Sequence, residues 1–322
     1  MESAILGGLE KTQMKSNIAY KAKSLIYGTA IGDALGVPFE FMGHNSFTCT
    51  GMVGNGTHHQ IKGTWSDDTS LTLCLADQIA EGLSLEKLAD KFVLWYKNAE
   101  YTATGKVFDV GGATSNAIHS YTTGVPPIKC GGTDERSNGN GSLMRISPLV
   151  FLCKDLDFES RFKLCKDVSS LTHAHDISVI ACVLFMEFLI CLYNGDEKLV
   201  AYKKMIERFD SLEKLVSQIE LKKFACLKNI LTAKESDIKS SGFVLHTLVA
   251  SLYCFLHTNS YEESVLKAVN LGDDTDTTAA VTGAISGLYY GFDAIPTNYV
   301  DALQNKELLD SIIEKLAKKM EN

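Results

Sequence analysis

The stretch NLGDDTDTTAAVTGAISGLYYG, residues 270–291, sets an acidic cluster directly before a long apolar segment. Residues 278–291 are apolar at helical spacing or on all sides, which predicts a buried helix. The same design occurs earlier in the chain, where Asp67-Asp68-Thr69 follows GTWS and precedes the helix-spaced SLTLCLADQIAEGL. Two loop-to-helix junctions of one design therefore predict a helical fold and mark a candidate site.

Helical spacing extends over most of the remaining chain. It is seen in AYKAKSLIYGTAIGDAL, LEKLADKFVLWYKN, ISVIACVLFMEFLICLY and FVLHTLVASLYCFL, and no clear alternation of period two competes with it. Only 5 of 322 residues are Pro, so few residues interrupt helices. Residues 195–240 are charged and predict a solvated helical excursion, and no Pro- or Ser-rich linker divides the chain. We expect an all-α protein, a compact helical bundle with a single domain over residues 1–322.

Composition and charge exclude several classes of protein. With 45% apolar and 22% charged residues, the chain is unlike disordered, collagen-like or fibrous proteins. The formal net charge of -8 gives no basic field that would hold a polyanion, so a nucleic-acid partner is disfavoured. The longest apolar stretch, residues 179–193, contains Glu187 and is too short to span a bilayer. It predicts a buried helix, and we expect no membrane partner.

The cysteines and the first residues indicate a cytoplasmic protein. The 9 cysteines form no C-x-x-C pair, and several fall in apolar runs, namely Cys74, Cys182, Cys191 and Cys254. They predict reduced core residues, with neither a zinc site nor a nucleophile among them. The start MESAILGGLEKTQMKSN is unlike a secretory signal, because acidic and basic residues directly follow a short apolar patch.

The two acidic clusters hold five carboxylates, those of Asp67, Asp68, Asp273, Asp274 and Asp276. Adjacent carboxylates repel each other, so a compensating group is expected. Capping of helix N-termini is the simpler explanation, but one Asp at each helix would suffice for it. Hard cations explain both clusters better, and ligands that are all oxygen favour Mg²⁺, Mn²⁺ or Ca²⁺ over Zn²⁺. If the two helix starts converge, they would hold two cations about 3.5–4 Å apart.

Two glycine-rich loops are candidates for ligand binding. SNGNGSLMR, residues 137–145, combines glycines with amide and hydroxyl side chains, as a phosphate-binding turn does. A plain Asn/Gly turn has the same composition. FDVGGAT, residues 108–114, leads into helical sequence and offers a helix N-terminus to an anion.

Two histidine pairs lie in loops of the same kind. His173 and His175 form an H-x-H pair before an apolar helix, so they either bind a metal or orient the helix start. The pair His58-His59 lies in a Gly-rich loop, where we expect exposed side chains rather than metal ligands. The sequence has no H-E-x-x-H, no nucleophile elbow and no P-loop, which leaves zinc-protease, serine-hydrolase and P-loop interpretations without their main support.

Five segments together resemble the ADP-ribosylglycohydrolase family. They are GTAIGDALGVPFEF, GTWSDDTSLTL, SNGNGSLMRISPL, THAHD and NLGDDTDTTAAVTGAISGLYYG, and they follow that family's order over residues 28–291. The most specific part is the pairing of S-D-D-T near the N-terminus with D-x-D-T near the C-terminus. The resemblance implies a compact all-helical domain with two Mg²⁺ or Mn²⁺ ions at the base of an ADP-ribose cleft.

The resemblance also implies roles for individual residues. Two runs match the family's metal ligands: Ser66, Asp67 and Asp68, and then Asp274, Asp276 and Thr277. Two carboxylates match catalytic positions near the metals and the ribose, and either is the acid/base: Glu40 and Asp109. The positions around the diphosphate and ribose are matched by Gly111, Gly112, Ser137, Asn138, Gly139, Asn140 and His173. The chain departs from the family at Asp273, where many members have Gly, so the ligand at this point is either Asp273 or Asp274.

A member of this family would hydrolyse the glycosidic bond at C1″ of ADP-ribose and release ADP-ribose from a modified protein. The FDVGG and SNGNGSLMR loops resemble the arginine-directed bacterial branch, so arginine is the expected acceptor. The alternatives are serine-linked ADP-ribose, O-acetyl-ADP-ribose, modified nucleic acid, or a relative that binds ADP-ribose without catalysis. We expect a monomeric, cytoplasmic enzyme whose partner is an ADP-ribosylated protein.

Overall fold

The protein is described by a computed structural model over residues 17–321. Within this range the regular elements are helices, accompanied by isolated bridges and no strand. In chain order the α-helices are α1 (Ile18–Gly36), α2 (Asp67–Ala80), α3 (Leu85–Asn98), α4 (Gly112–Thr122), α5 (Val150–Cys153), α6 (Phe158–Ser170), α7 (Asp176–Tyr193), α8 (Lys198–Glu207), α9 (Phe209–Leu212), α10 (Gln218–Lys223), α11 (Val244–Leu256), α12 (Tyr261–Asn270), α13 (Thr275–Tyr290), α14 (Thr297–Ala302) and α15 (Lys306–Glu321). The all-α prediction is confirmed.

Helices α1 and α13 form the centre of the molecule and pack with their backbones in contact. A Cβ at Gly28 would overlap the carbonyl oxygen of Gly283, and a Cβ at Gly32 would overlap that of Ala279. At the end of α1, a Cβ at Gly36 would overlap the backbone of Asp276. Only glycine allows so close an approach. The contact therefore brings the start of α13, with its acidic cluster, against the end of α1.

Helices α1, α2 and α3 each begin at an N-cap side chain, close to the first residue of the apolar pattern. Asn17 Oδ1 accepts a hydrogen bond from the amide of Ala19 at 2.7 Å, and Ser66 Oγ accepts one from the amide of Asp68 at 3.3 Å. Ser84 does the same for α3. Such caps satisfy amides that have no partner inside the helix. The start of α2, which matters for the site, is thus fixed by Ser66.

Helix α7 contains the apolar stretch 179–193 that was predicted to be buried. It begins at Asp176, one residue before the predicted helical segment ISVIACVLFMEFLICLY, and has 18 residues with a mean hydropathy of 2.1. By length and composition alone it could cross a membrane, so the prediction that this stretch is too short to do so was wrong. Of this helix, 89% is buried inside the protein, as in the core helix of a globular fold. Glu187 is paired there with Arg161 and Arg208.

The charged segment of residues 195–240 contains α8 to α10 and a 3-10 segment, Phe224–Thr232. It is helical, as predicted, but it is more than a solvated excursion. Many of its apolar side chains are buried against the core, among them Met205, Phe224 and Leu227, although Ile219 is exposed. The charged residues between them face outward, so the segment is an amphipathic cover.

The cysteines are all free thiols. Cys74, Cys182 and Cys254 are buried as predicted, whereas Cys191 is only half-buried. Cys226 is exposed and Cys130 is half-buried, so the expectation of core residues fails for these two. Burial raises the pKa of the core thiols Cys74 and Cys182, which suits an inert packing role.

Candidate active site

The two acidic clusters converge. Asp68 lies at the start of α2 and Asp276 at the start of α13, and both are fully buried. The Thr277 hydroxyl on α13 donates a hydrogen bond to Asp68 Oδ2 at 3.4 Å, while the Ser66 hydroxyl donates to the same oxygen at 3.0 Å. The packing of α13 on α1 therefore closes one site from two distant parts of the sequence.

Three oxygens in this cluster are buried and accept no hydrogen bond: Asp68 Oδ1, Asp274 Oδ1 and Asp276 Oδ2. A buried charged oxygen without a partner is strongly unfavourable. Helix capping does not account for them, because Ser66 caps α2 and Asp274 makes no side-chain cap at the start of α13. Unpaired carboxylate oxygens that face one another are the donor set of a hard divalent cation. The residues present therefore fit a metal site.

Asp276 belongs to two groups of carboxylates that could each hold an ion. It faces Asp33 and Asp68 on one side and Glu40 and Asp274 on the other, with the ligand atoms of each group within 4.8 Å of one another. Burial raises the pKa of Asp68 and Asp276 well above the usual range, and the neighbouring carboxylates add to the effect. A positive charge is needed to keep these groups ionised together.

Asp33 is a site residue that the sequence analysis missed. Its carboxylate is fully buried in α1 and accepts hydrogen bonds from the amides of Ser66 and Thr69 and from the Thr69 hydroxyl, at 2.6–3.0 Å. Burial raises its pKa to about 6. Because its oxygens are already bonded, Asp33 positions the start of α2 more than it offers free ligand atoms. The signal was a single Asp inside the apolar run IGDALG.

The backbone conformation determines which of the two residues Asp273 and Asp274 faces the site. Asp273 has a left-handed conformation, with φ of 58°, and its side chain is exposed. Asp274 turns inward, where its Oδ2 accepts a hydrogen bond from the Asn140 amide at 2.8 Å. Four of the five carboxylates thus face the site, since Asp67 also lines the cleft. A left-handed residue is a position where glycine fits best.

Glu40 and Asp109 lie beside the candidate metal site with an unexpected partner, His58. The His58 Nε2 is in close contact with Glu40 Oε2, and Asp109 joins the same group. Burial raises the pKa of Glu40 to about 7 and also raises the pKa of Asp109. The prediction that His58 is an exposed loop residue is wrong, because the loop of residues 51–64 folds back and covers Glu40.

A cleft of about 440 Å³ opens above these groups. Gly111 and Gly112 line it at the N-terminus of α4, and no protein atom stands where a Cβ at Gly112 would be. Gly139, Asn140 and His173 also line it. The open space at Gly112 and the uncapped amides at the start of α4 make the α4 side of the cleft suitable for an anion.

Ser137 and Asn138 shape the neighbouring loop instead of lining the cleft. The Ser137 hydroxyl donates to Asp134 Oδ2 at 3.1 Å, and the Asn138 amide donates to the carbonyl of Glu135 at 3.0 Å. Arg136, directly before Ser137, lines the cleft, and within residues 17–321 it is the one Lys or Arg that does so. It could not be identified from the sequence, because a lone Arg before an Asn/Gly turn is no signal by itself.

The H-x-H pair divides into two roles. His175 caps α7 by accepting a hydrogen bond from the amide of Ile177 at 3.2 Å. His173 is buried in the cleft wall, with Nδ1 bonded to the Thr172 hydroxyl at 2.7 Å, and burial lowers its pKa to about 3. A Cβ at Gly141 would press against the His173 ring at 2.8 Å. This glycine therefore makes room for a neutral imidazole.

Arg145 supports the loop of residues 137–145 from its buried side. It is fully buried, and its guanidinium donates to the carbonyls of Gly141 and Val168 and lies 5.0 Å from the ring centre of Phe92. Burial lowers its pKa to about 10. The guanidinium fixes the Gly141 carbonyl on the buried side of the loop, while Gly139 and Asn140 line the cleft.

The helical fold and the comparisons with known proteins together define the class: an all-helical glycohydrolase that removes ADP-ribose. The chain belongs to the ADP-ribosylglycohydrolase family, whose family model matches residues 14–322. This confirms the resemblance found in the sequence.

Relatives and a solved structure support the assignment over nearly the whole chain. An ADP-ribosylarginine hydrolase of Serratia proteamaculans is 33% identical over 92% of this chain and 78% of the relative. An ADP-ribosyl-[dinitrogen reductase] glycohydrolase of Rhodospirillum rubrum is 27% identical over 89% of this chain and 91% of its own. A solved ADP-ribosylglycohydrolase-related protein complex has a TM-score of 0.78 at 27% identity and covers 94% of this chain and 99% of that one.

Proposed function

We propose that this protein removes ADP-ribose from arginine side chains of modified proteins, with Mg²⁺ or Mn²⁺ bound at the converging acidic clusters. The observation that carries the proposal is the set of unpaired, buried carboxylate oxygens from two helix starts at the base of the cleft. The arginine acceptor is favoured because relatives at 33% and 31% identity are named ADP-ribosylarginine hydrolases.

Two cations are favoured over one because Asp276 belongs to two groups of possible ligands. Asp68 and Asp274 would complete these groups, and Asp67 with the hydroxyls of Ser66 and Thr277 would add further oxygen ligands. When bound, the cations supply positive charge that neutralises the carboxylates and orients the ribose hydroxyls. Asp33 and Asn140 would keep Asp68 and Asp274 in place, since each bonds the acidic clusters directly.

The reaction adds water to C1″ of the ribose, breaks the bond from C1″ to the arginine nitrogen, and moves a proton to the departing guanidine. Glu40, whose burial raises its pKa to about 7, can both accept and donate a proton near neutral pH. Asp109 lies beside it and would stabilise positive charge that develops on the ribose. His58 holds the Glu40 carboxylate in position.

The other wall of the cleft suits the diphosphate. The start of α4 has no side-chain cap, no protein atom stands where a Cβ at Gly112 would be, and Arg136 adds a full positive charge. His173 is neutral, with its Nδ1 already bonded to Thr172, so its Nε2 is free to bond a hydroxyl or phosphate oxygen.

The decisive measurement is release of ADP-ribose from ADP-ribosyl-arginine protein with Mg²⁺ or Mn²⁺ and with EDTA. We expect activity only with cation, and loss of activity in Asp67→Ala and Asp274→Ala. Asp273→Asn is the matched control, because this neighbouring carboxylate is exposed and should be dispensable. Full activity in EDTA, or in both alanine variants, would contradict the metal mechanism.

A panel of linkages tests the acceptor. Arginine-linked, serine-linked and nucleic-acid-linked ADP-ribose and O-acetyl-ADP-ribose are compared at equal concentration. We expect the arginine linkage to be hydrolysed fastest. Preference for another linkage would move the protein to a different substrate, and binding of ADP-ribose without turnover on any of them would make it a binding protein.

A further inference from the structure

Phe41 presents its ring to solvent at the wall of the cleft, directly after Glu40. The residue is 69% exposed, and its side chain lines the cleft. Its backbone is left-handed, with φ of 64°, a conformation that a bulky L residue rarely adopts. Because the ring is mostly exposed, little burial of apolar surface offsets the cost of this conformation. Strained residues of this kind concentrate at ligand sites.

The conformation of Phe41 is fixed by the loop that precedes α13. The Phe41 amide donates a hydrogen bond to the carbonyl of Asp273 at 2.7 Å, and the Asp273 amide donates one to the carbonyl of Met42 at 2.8 Å. Asp273 is itself left-handed. The two left-handed residues are therefore linked by backbone hydrogen bonds. These bonds fix the position of Phe41 relative to the acidic cluster of Asp274 and Asp276.

Phe41 belongs to a row of three rings that we name the aromatic shelf: Phe41, His58 and Phe108. The ring centre of His58 lies 6.0 Å from that of Phe41 and 5.2 Å from that of Phe108. His58 also contacts Glu40, so the aromatic shelf lies beside the proposed proton donor and acceptor. A group on the shelf would be next to the bond that breaks.

We infer that Phe41 recognises the guanidinium plane of the arginine that leaves, and so sets the preference for arginine; this rests on the proposed function. Beside Phe41 the cleft carries the carboxylates of Glu40 and Asp109, which are not among the proposed cation ligands and favour a cationic group. A planar guanidinium stacks on an aromatic face while its edge meets carboxylates. A serine hydroxyl gains nothing from either contact.

The test compares Phe41→Ala, Phe41→Leu and Phe41→Trp. All three retain a Cβ, so the backbone strain is the same in each and cancels. For every variant, kcat/KM is measured on arginine-linked and serine-linked ADP-ribose, and the Kd of free ADP-ribose is measured by calorimetry. Tyr96→Ala is the matched control, because Tyr96 is an aromatic residue 40% exposed on α3, outside the cleft lining.

We expect the Ala and Leu variants to lose about tenfold in kcat/KM on the arginine linkage, as for a lost cation–π contact, and Trp to retain wild-type activity. The serine linkage and the Kd of ADP-ribose should stay within about twofold of wild type. The control should change neither.

Three results would overturn the inference while the proposed function stands: a Leu variant as active as wild type, an equal loss on both linkages, or a weaker Kd for ADP-ribose. The last would mean that Phe41 stacks on the adenine instead. A wild-type enzyme that does not hydrolyse the arginine linkage would contradict the proposed function itself and the inference with it.

Discussion

The cleft has two sides that are built by different means. Its floor consists of Asp33, Asp68 and Asp276, which lie on α1, α2 and α13 and are fully buried. Its rim consists of Glu40, Phe41, His58 and Asp109, which lie in loops, and Phe41 and Asp109 have left-handed φ angles of 64° and 52°. The floor is set by helix packing, whereas the rim is set by loop hydrogen bonds. We therefore expect the floor to govern cation binding and the rim to govern proton transfer and the choice of acceptor.

The largest effect is expected from Asp276→Asn, on the floor. This residue belongs to both candidate cation groups, so hydrolysis should fall by about 10³-fold as the charge that holds the cations is lost. The Tm of the cation-free protein should not fall, because one of several repelling carboxylates is removed. The rate of hydrolysis and the Tm are each measured with and without Mn²⁺. A rise in Tm on adding Mn²⁺ that equals the wild-type rise would place cation binding elsewhere.

On the rim, His58→Ala should reduce kcat about tenfold, because Glu40 loses the partner that positions it. The rise in Tm on adding Mn²⁺ should stay at the wild-type value, which separates the rim from the floor. His58→Gln retains a hydrogen-bond donor and should recover part of the activity. If His58→Ala instead abolishes the response to Mn²⁺, the two sides of the cleft are not independent.

The pH dependence of the cation-free protein gives a smaller effect. Burial raises the folded-state pKa of Glu40 to about 7 and that of Asp68 and Asp276 well above the usual range. The folded state therefore binds more protons than the unfolded state, and stability falls as pH rises through these pKa values. Between pH 6.5 and pH 8 in EDTA, we expect a loss of about 1 kcal/mol, or roughly 2–4 °C in Tm.

Saturating Mn²⁺ should remove most of this dependence, because the cation compensates the same carboxylates. The ordinary pKa of His173, 6.5, lies at the lower end of this window, so loss of the proton from this histidine in the unfolded state offsets about 0.4 kcal/mol of the decrease. A cation-free protein that is more stable at pH 8 than at pH 6.5 would show that the floor carboxylates do not repel as described.

The smallest effect is expected from Asp273→Gly, where the rim meets α13. Glycine adopts the left-handed conformation without a Cβ penalty, so we expect about 0.5 kcal/mol of added stability and unchanged turnover. Urea unfolding measures it. Asp301→Gly is the control, because this exposed residue lies in α14 and should lose stability. A loss of turnover in Asp273→Gly would mean that this side chain acts in the reaction.

The fold and most floor residues could be predicted because they follow local rules. Apolar spacing predicted the long helices, and adjacent carboxylates at two helix starts indicated Asp68 and Asp276. Asp33 was missed because one polar residue in an apolar run has many explanations, and only the structure shows that it holds Ser66 and Thr69.

The rim was predicted less completely, because its contacts join loops that are distant in sequence. His58 reaches Glu40 only because residues 51–64 fold back, and no periodic pattern encodes such a turn. Arg136 and the positions of Ser137 and Asn138 depend likewise on how one loop is held by Asp134 and by Arg145.

The glycine contact between α1 and α13 also makes the site depend on chain segments that are synthesised far apart in time. The Thr275 hydroxyl at the start of α13 bonds the carbonyl of Gly36 at the end of α1, and these residues are 239 positions apart. Contacts between such distant segments form late in folding. A nascent chain that has not yet extended past Asp276 has α1 and α2 but no completed floor. The proposed site is therefore complete only once the two central helices have met.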